Sequence, residues 1–276
     1  DICTNETVAA GADCGGPVLP AAGRGLPYAP EPKRGPVTDP APLILWFRRD
    51  LRLDDHPMLA AAVAQGRPLI PVFILDPETE GQGAAARWRL GLAVAAFSAA
   101  LERLGSRLVL RRGPALDVLQ TLCAETGAGA VLWSRAYDPA AKARDTAVKA
   151  ALKAQGLEAK SHPGALLHEP WTVATKEGGF YRVYTPFWRA VKDRSVGVPA
   201  AASAALAAPG AWPASDRLDD WRLGAAMNRG AGIVAGYQAV GEAAALARLD
   251  RFLDGPVAEY RTARDLPGGE HTSRLS

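Results

Sequence analysis

From residue 42 onward the chain alternates short apolar runs with longer stretches in which apolar residues recur at helical spacing. The runs at 42–47, 68–75, 107–111 and 130–134, with a more polar one at 157–161, are too short to be buried helices. They are rich in aliphatic and aromatic residues, which predicts parallel strands covered on both faces. Helices are predicted between them, over 57–65, 84–104, 115–126 and 140–155. Within 84–104, Trp88, Leu92, Phe97, Leu101 and Leu104 form the stripe expected to face a core, and Gly105 stops the helix. Regular βα alternation predicts an α/β fold with a doubly wound, five-stranded parallel sheet. Right-handed crossovers then leave a crevice outside the carboxyl ends of the strands.

The first run breaks abruptly into charge: Arg48, Arg49, Asp50, Arg52, Asp54, Asp55 and His56 follow Phe47 directly. A buried strand closed by so polar a turn places chemistry at its carboxyl end, and Arg48, Arg49, Asp50 and Asp54 are the candidate crevice residues. The same residues also suit a salt-bridged loop that caps the next helix, with Pro57 in its first turn. No Gly-x-Gly-x-x-Gly follows any of the strands, so the usual dinucleotide fingerprint is absent.

Outside the alternating region the pattern changes. Residues 1–41 are rich in Gly and Pro without apolar periodicity, and a disordered leader is expected there, of the kind a mis-called start adds. Residues 163–195 crowd Trp171, Phe180, Tyr181, Tyr184, Phe187 and Trp188 into a Gly- and Pro-rich context, which suits a long ordered loop or a plain hairpin. From Ala243, Leu246, Leu249, Phe252 and Leu253 describe an amphipathic helix. The chain then ends on His271, Thr272, Ser273, Arg274, Leu275 and Ser276, with Tyr260 and Arg264 upstream. Hydroxyls and a guanidinium so close together suit a pyrophosphate, and they equally suit a helix N-cap.

Composition narrows the partners only slightly. The net charge of +3 permits a nucleic-acid partner without demanding one. Apolar stretches are interrupted by charge, no secretory pattern opens the chain, and neither a membrane span nor export is expected; the location expected is cytoplasmic. Three cysteines and four histidines lack the paired short spacings of a disulfide framework or a zinc site.

Several segments match a known family. The run Trp46-Phe47-Arg48-Arg49-Asp50-Leu51-Arg52-Leu53, closed by Leu59, resembles the opening signature of the photolyase/cryptochrome family. Leu167-His168-Glu169-Pro170, Tyr181-Arg182-Val183-Tyr184-Thr185-Pro186-Phe187-Trp188-Arg189, and Tyr260 to Pro267 followed by Thr272 to Ser276 resemble its later motifs in the same order, with His271 standing where glycine is usual. The resemblance implies an antenna domain over 42–165, a linker over 166–212, and over 213–276 the incomplete start of a helical domain for flavin-adenine dinucleotide (FAD). It implies FAD contacts at Tyr260, Thr272, Ser273, Arg274, Leu275 and Ser276, and a DNA contact at Arg264.

The implied activity is that of a deoxyribodipyrimidine photolyase, a lyase that uses light and FAD to split cyclobutane pyrimidine dimers in DNA. The alternatives are a cryptochrome-type photoreceptor and a nucleotide-binding α/β protein without photochemistry. Because the motifs stop at the first FAD segment, a fragment inactive alone is expected, with no catalytic residue of its own. An antenna chromophore is expected in the crevice. Folate-type members carry Asn-Glu after the fourth strand where this chain has Tyr137-Asp138-Pro139-Ala140-Ala141, so the expectation favours a flavin or deazaflavin over a folate.

Overall fold

The computed structural model describes residues 40–273. The expected leader, apart from its last residues, and the expected contacts at Arg274, Leu275 and Ser276 therefore lie outside the described residues. Strands β1 (Leu43–Phe47), β2 (Leu69–Leu75), β3 (Val109–Arg112), β4 (Ala130–Ser134) and β5 (Glu158–His162) form one parallel sheet in the order β3-β2-β1-β4-β5. The doubly wound α/β expectation holds, with strand ends shifted by one or two residues at β1, β2, β3 and β5.

Alternation along β1 shows why the sheet is buried on both sides. Leu43, Leu45 and Phe47 face one core layer, with Val94, Phe97 and Leu101 of α3 (Ala84–Arg103) and Met58, Leu59 and Ala62 of α1 (Pro57–Val63). Ile44 and Trp46 face the other layer, with Leu119 and Leu122 of α4 (Ala115–Thr126) and Val148 and Leu152 of α5 (Pro139–Ala154). The stripe on α3 is rotated from the expected one. Leu92 is 38% exposed, while Val94 joins Phe97 and Leu101, because the i, i+3, i+7 series of these three points at the sheet. By length and composition alone α3 could cross a bilayer, which the sequence was expected to lack; here it packs on the sheet.

A capping rule recurs at the crevice end. His56-Pro57, Asp76-Pro77 and Asp138-Pro139 each pair a capping side chain with proline in the first helical turn, starting α1, α5 and the short α2 (Pro77–Glu80). At β2 the helix begins within two residues of the strand's end, and at β1 and β4 a longer turn intervenes. The caps bring their polar side chains to the carboxyl ends of β1, β2 and β4.

Beyond β5 the chain runs through a 3-10 turn (Pro170–Thr172) and helix α6 (Tyr184–Val191), and then returns to the sheet domain. Leu69 N–H donates to the Ala207 carbonyl at 2.8 Å, Asp216 N–H to the Leu110 carbonyl at 2.8 Å, and Leu206 is buried in the core layer of α3. Leu218 and Trp221 pack on the same layer, the Trp221 ring centre 6.1 Å from that of Phe73. Residues 206–223 thus strap one face of the sheet. Helices α7 (Arg229–Ala235), α8 (Glu242–Leu253) and α9 (Pro256–Ala263) follow; Ala263 is buried, whereas Ile233, Leu246 and Leu253 are exposed.

Candidate functional site: the crevice at the strand ends

A cavity of about 330 Å³ opens where the strand order reverses, outside the carboxyl ends of β1, β2 and β4. Phe73, Ile74 and Leu90 give it an apolar wall, and Arg48, Arg49, Asp50, Asp76, Asp138 and Arg144 bring charge to it. Asp54 is not in the lining. It is exposed, and its backbone N–H donates to Glu242 Oε1 at 2.7 Å.

Asp50 is fixed from two sides. It accepts the Arg48 backbone N–H at Oδ1, 2.9 Å away, and its Oδ2 lies 3.0 Å from His56 Nε2. His56 Nδ1 accepts the Leu59 N–H at 3.3 Å as the cap of α1, so its proton belongs on Nε2, facing Asp50. Burial alone would raise the Asp50 carboxyl; the hydrogen bond from His56, with the Arg48 amide, outweighs it and holds the group at about 2. Asp50 is an ionised, oriented acceptor.

Arg48 crosses to α5, where Nη1 donates to both Asp145 oxygens at 2.8 Å, and Nη2 donates to the Ser134 carbonyl. Arg144, next along α5, bridges Asp76 at 2.9 Å and Glu78 at 2.8 Å. The Arg48 and Arg144 guanidiniums lie 4.5 and 5.2 Å from the Trp46 ring centre. Arg49 is different: its side chain is 78% exposed and reaches Asp138 only at 3.8 Å, so it remains available to a ligand. Asp138 is held below the usual carboxylate range, first by the Ala141 N–H that it caps.

The segment after β5 is pinned to the rim by a separate network. Glu169 accepts from Arg135 Nη1 at 2.6 Å and from the Tyr137 hydroxyl at 2.9 Å, and Arg135 also lies 5.5 Å from the Trp171 ring centre. Burial, then the Glu169 hydrogen bond and charge, raise the Tyr137 phenol. Arg52 donates at 2.7 Å to the carbonyls of both Asp55 and Gly164, tying the loop after β1 to the exit of β5.

A second cavity, of about 500 Å³, is lined by Arg248, Arg251, Phe252, Pro256, Glu270 and Thr272. Tyr260 is beside it, its ring edge on Phe252 with centres 5.9 Å apart. Arg248 donates to the Thr272 and Ser273 carbonyls at 3.1 and 3.2 Å and pairs with Glu270 at 2.5 Å. Arg264 is about half exposed, 5.7 Å from the Tyr260 ring centre, and its Nε is 3.7 Å from Asp265.

A family model described as DNA photolyase matches residues 43–208, which is the whole sheet together with the first residues of its strap. The chain belongs to the DNA photolyase family. Among its relatives, a deoxyribodipyrimidine photo-lyase of Agrobacterium fabrum is 45% identical over 237 residues, covering 86% of this chain and 50% of the relative. Cryptochrome-2 of Arabidopsis thaliana is 38% identical over 157 residues, 55% of this chain and 26% of that protein. The crystal structure of a bacterial class III photolyase from Agrobacterium tumefaciens superposes with a TM-score of 0.83 at 44% identity, covering 87% of this chain and 50% of that one. The chain thus spans about half the length of these photolyases.

In this photolyase-family chain the structure gathers Arg48, Arg49 and Asp50 around one cavity, and Thr272 around another with Tyr260 against its Phe252 wall. Sequence reasoning missed Arg144, Asp145, Glu169, Glu242 and Arg248 as site or rim residues. A signal existed for Arg144, which is one turn beyond the cavity residue Ala141 on α5. Glu169 lay within a family motif, Leu167 to Pro170, without its partners being readable, and Glu242 carried no signal because its partners are distant in sequence.

Proposed function

We propose that this chain is the chromophore-bearing half of a deoxyribodipyrimidine photolyase, an FAD-dependent, light-driven lyase that repairs cyclobutane pyrimidine dimers in cytoplasmic DNA. The observation that carries the reading is the cavity at the sheet's switch point, in a chain whose matched family region covers that sheet entirely. The cavity is of a size for one planar heterocycle rather than a whole dinucleotide, with an apolar wall for its face and charged groups for its edge. Phe73 and Leu90 would bind the ring by burial, while Asp50, fixed by His56, would accept a ring N–H.

The preference for a flavin or deazaflavin over a folate loses weight at this site. A pterin edge needs a carboxylate, and although the loop after β4 offers alanines at 140 and 141, Asp50, Asp76 and Asp138 reach the same cavity from other positions. The N–H edge of a flavin, a deazaflavin or a folate would meet one of these carboxylates.

The residues around the second cavity offer the phosphates of FAD the guanidinium of Arg251 and a hydroxyl at Thr272 beside an aromatic wall at Phe252, while Arg248 is held by Glu270 and by the Thr272 and Ser273 carbonyls. When bound and photoexcited in its reduced form, FAD supplies the electron that splits the dimer. This chain's own residues would hold the phosphates, and Arg264 would meet the DNA backbone.

The 276 residues alone are expected not to repair, since α7 to α9 bury almost none of their apolar surface here and donors left in water net only about 0.5–1.5 kcal/mol each. The test is a chimera that joins residues 40–273 to the remaining half of the Agrobacterium relative, assayed on a thymine-dimer oligonucleotide in light and in darkness. Light-dependent repair by the chimera supports the reading. A folded, FAD-loaded chimera without repair contradicts it.

A further inference from the structure

Helix α8 makes polar contacts from its first residue and from its middle, one with the loop after β1 that borders the crevice and one with the segment the proposed function assigns to FAD. At its first residue Glu242 grips two consecutive amides of the loop after β1: Oε2 accepts Leu53 N–H at 2.9 Å and Oε1 accepts Asp54 N–H at 2.7 Å. Six residues on, roughly 9 Å along the helix, Arg248 donates to the Thr272 and Ser273 carbonyls and pairs with Glu270.

The Glu242 junction is built rather than incidental. Gly241, which precedes the helix, has φ +98°, and a Cβ there would stand 3.0 Å from the Ala96 side chain on α3. Only glycine brings the backbone so close in that conformation. Arg89 of α3 meets Gln238 just upstream. The loop that receives Glu242 is held from its other side as well, through Arg52 to the Gly164 carbonyl and through Asp55 N–H to the Ala200 carbonyl at 3.0 Å.

We propose that α8 is a strut, with Glu242 and Arg248 as its two clamps, that sets the position of the Thr272–Ser273 segment relative to the crevice loop. The inference rests on the assignment of those two places to an antenna chromophore and to FAD. Transfer of excitation between two chromophores depends steeply on their separation and orientation, so a rigid link between their binding segments has a use. Glu242 and Arg248 are positioning residues, since neither is argued to touch a reacting atom.

If the strut is rigid, coupling is reciprocal: what loosens one clamp loosens the other. Hydrogen exchange on the 276-residue chain without chromophore reads this directly, because the Leu53 and Asp54 amides are themselves the donors to Glu242. Glu242→Ala is expected to speed exchange at both amides on the order of tenfold, the loss of a hydrogen bond to a charged group. Glu242→Gln, with one acceptor oxygen in place of two, is expected to lie between. Arg248→Met, at the far clamp, is expected to speed the same two amides about threefold while the amides of β4 stay unchanged.

Leu53 and Asp54 unmoved by Glu242→Ala would remove the clamp, and unmoved by Arg248→Met would remove the strut. Faster exchange in β4 as well would make these residues general supports of the fold and would equally overturn the proposal. No outcome depends on photochemistry, so failure here is separate from failure of the repair reading.

Discussion

Asp50 Oδ2 and His56 Nε2 face each other at 3.0 Å in the buried turn between β1 and α1, and this pair is both a helix cap and a wall of the crevice. Cap and site are one arrangement: the imidazole that receives the Leu59 N–H at Nδ1 must present its proton to Asp50 from Nε2.

Stability should follow the titration of Asp50. The folded carboxyl titrates at about 2 and the free one near 3.8. The folded state therefore gains from ionised Asp50 above about pH 4, to the extent of about 2 kcal/mol, and loses that gain as pH falls toward 2. Asp50→Asn is expected to cost a similar amount at pH 7 and almost nothing at pH 2, checked by urea unfolding at both. An equal cost at the two pH values would show that shape, not charge, matters at this position.

The Arg48–Asp145 pair is little exposed, 14% and 12% for the two side chains. Asp145→Ala leaves a buried guanidinium without its carboxylate and is expected to destabilise by about 3 kcal/mol, whereas the double change Arg48→Met with Asp145→Leu should cost much less. Equilibrium unfolding of Asp145→Leu, Arg48→Met and the double change decides it, and additive costs would contradict a coupled pair.

Glu169 should be legible in the titration of Tyr137. The phenol is raised first by burial and then by this carboxylate, so Glu169→Gln is expected to move it back toward lower pH. Ultraviolet titration, with Tyr137→Phe to identify the signal, measures the change. Released from Glu169, the chain near Lys176 and Arg182 should also be cut faster by trypsin.

The sheet was legible in the sequence because β1, β2 and β4 are short apolar runs and α1 and α5 begin at a readable cap and proline. The strap over 206–223 was not. Leu206, Leu218 and Trp221 show no common period, and their burial depends on a surface built by residues more than a hundred positions earlier. For the same reason the candidate site was half visible: Arg48, Arg49 and Asp50 are local to one strand end, while Asp145 and Glu169 arrive through tertiary folding.

The strap also bears on where the folding unit ends. The sequence places the sheet's boundary at 165, yet Leu206 is 5% exposed in the core layer of α3. Residues 40–223 are expected to be more stable than residues 40–165, and Leu206→Ala in the longer chain should cost about 2–4 kcal/mol. Urea midpoints of the three proteins measure this, and equal midpoints would show that the strap is passive.

The central claim, that the switch-point cavity holds the chromophore of a photolyase, is tested most directly by equilibrium dialysis of the purified chain against a flavin, a deazaflavin and a reduced folate. Ala165→Trp serves as the blocked variant, since Ala165 lines the cavity from an exposed position and its replacement leaves the core intact. The expected result is one chromophore bound per chain and at least a tenfold loss of affinity in Ala165→Trp, with an unchanged unfolding midpoint. Absence of binding by all three, or equal binding to the native and blocked chains, would contradict the account.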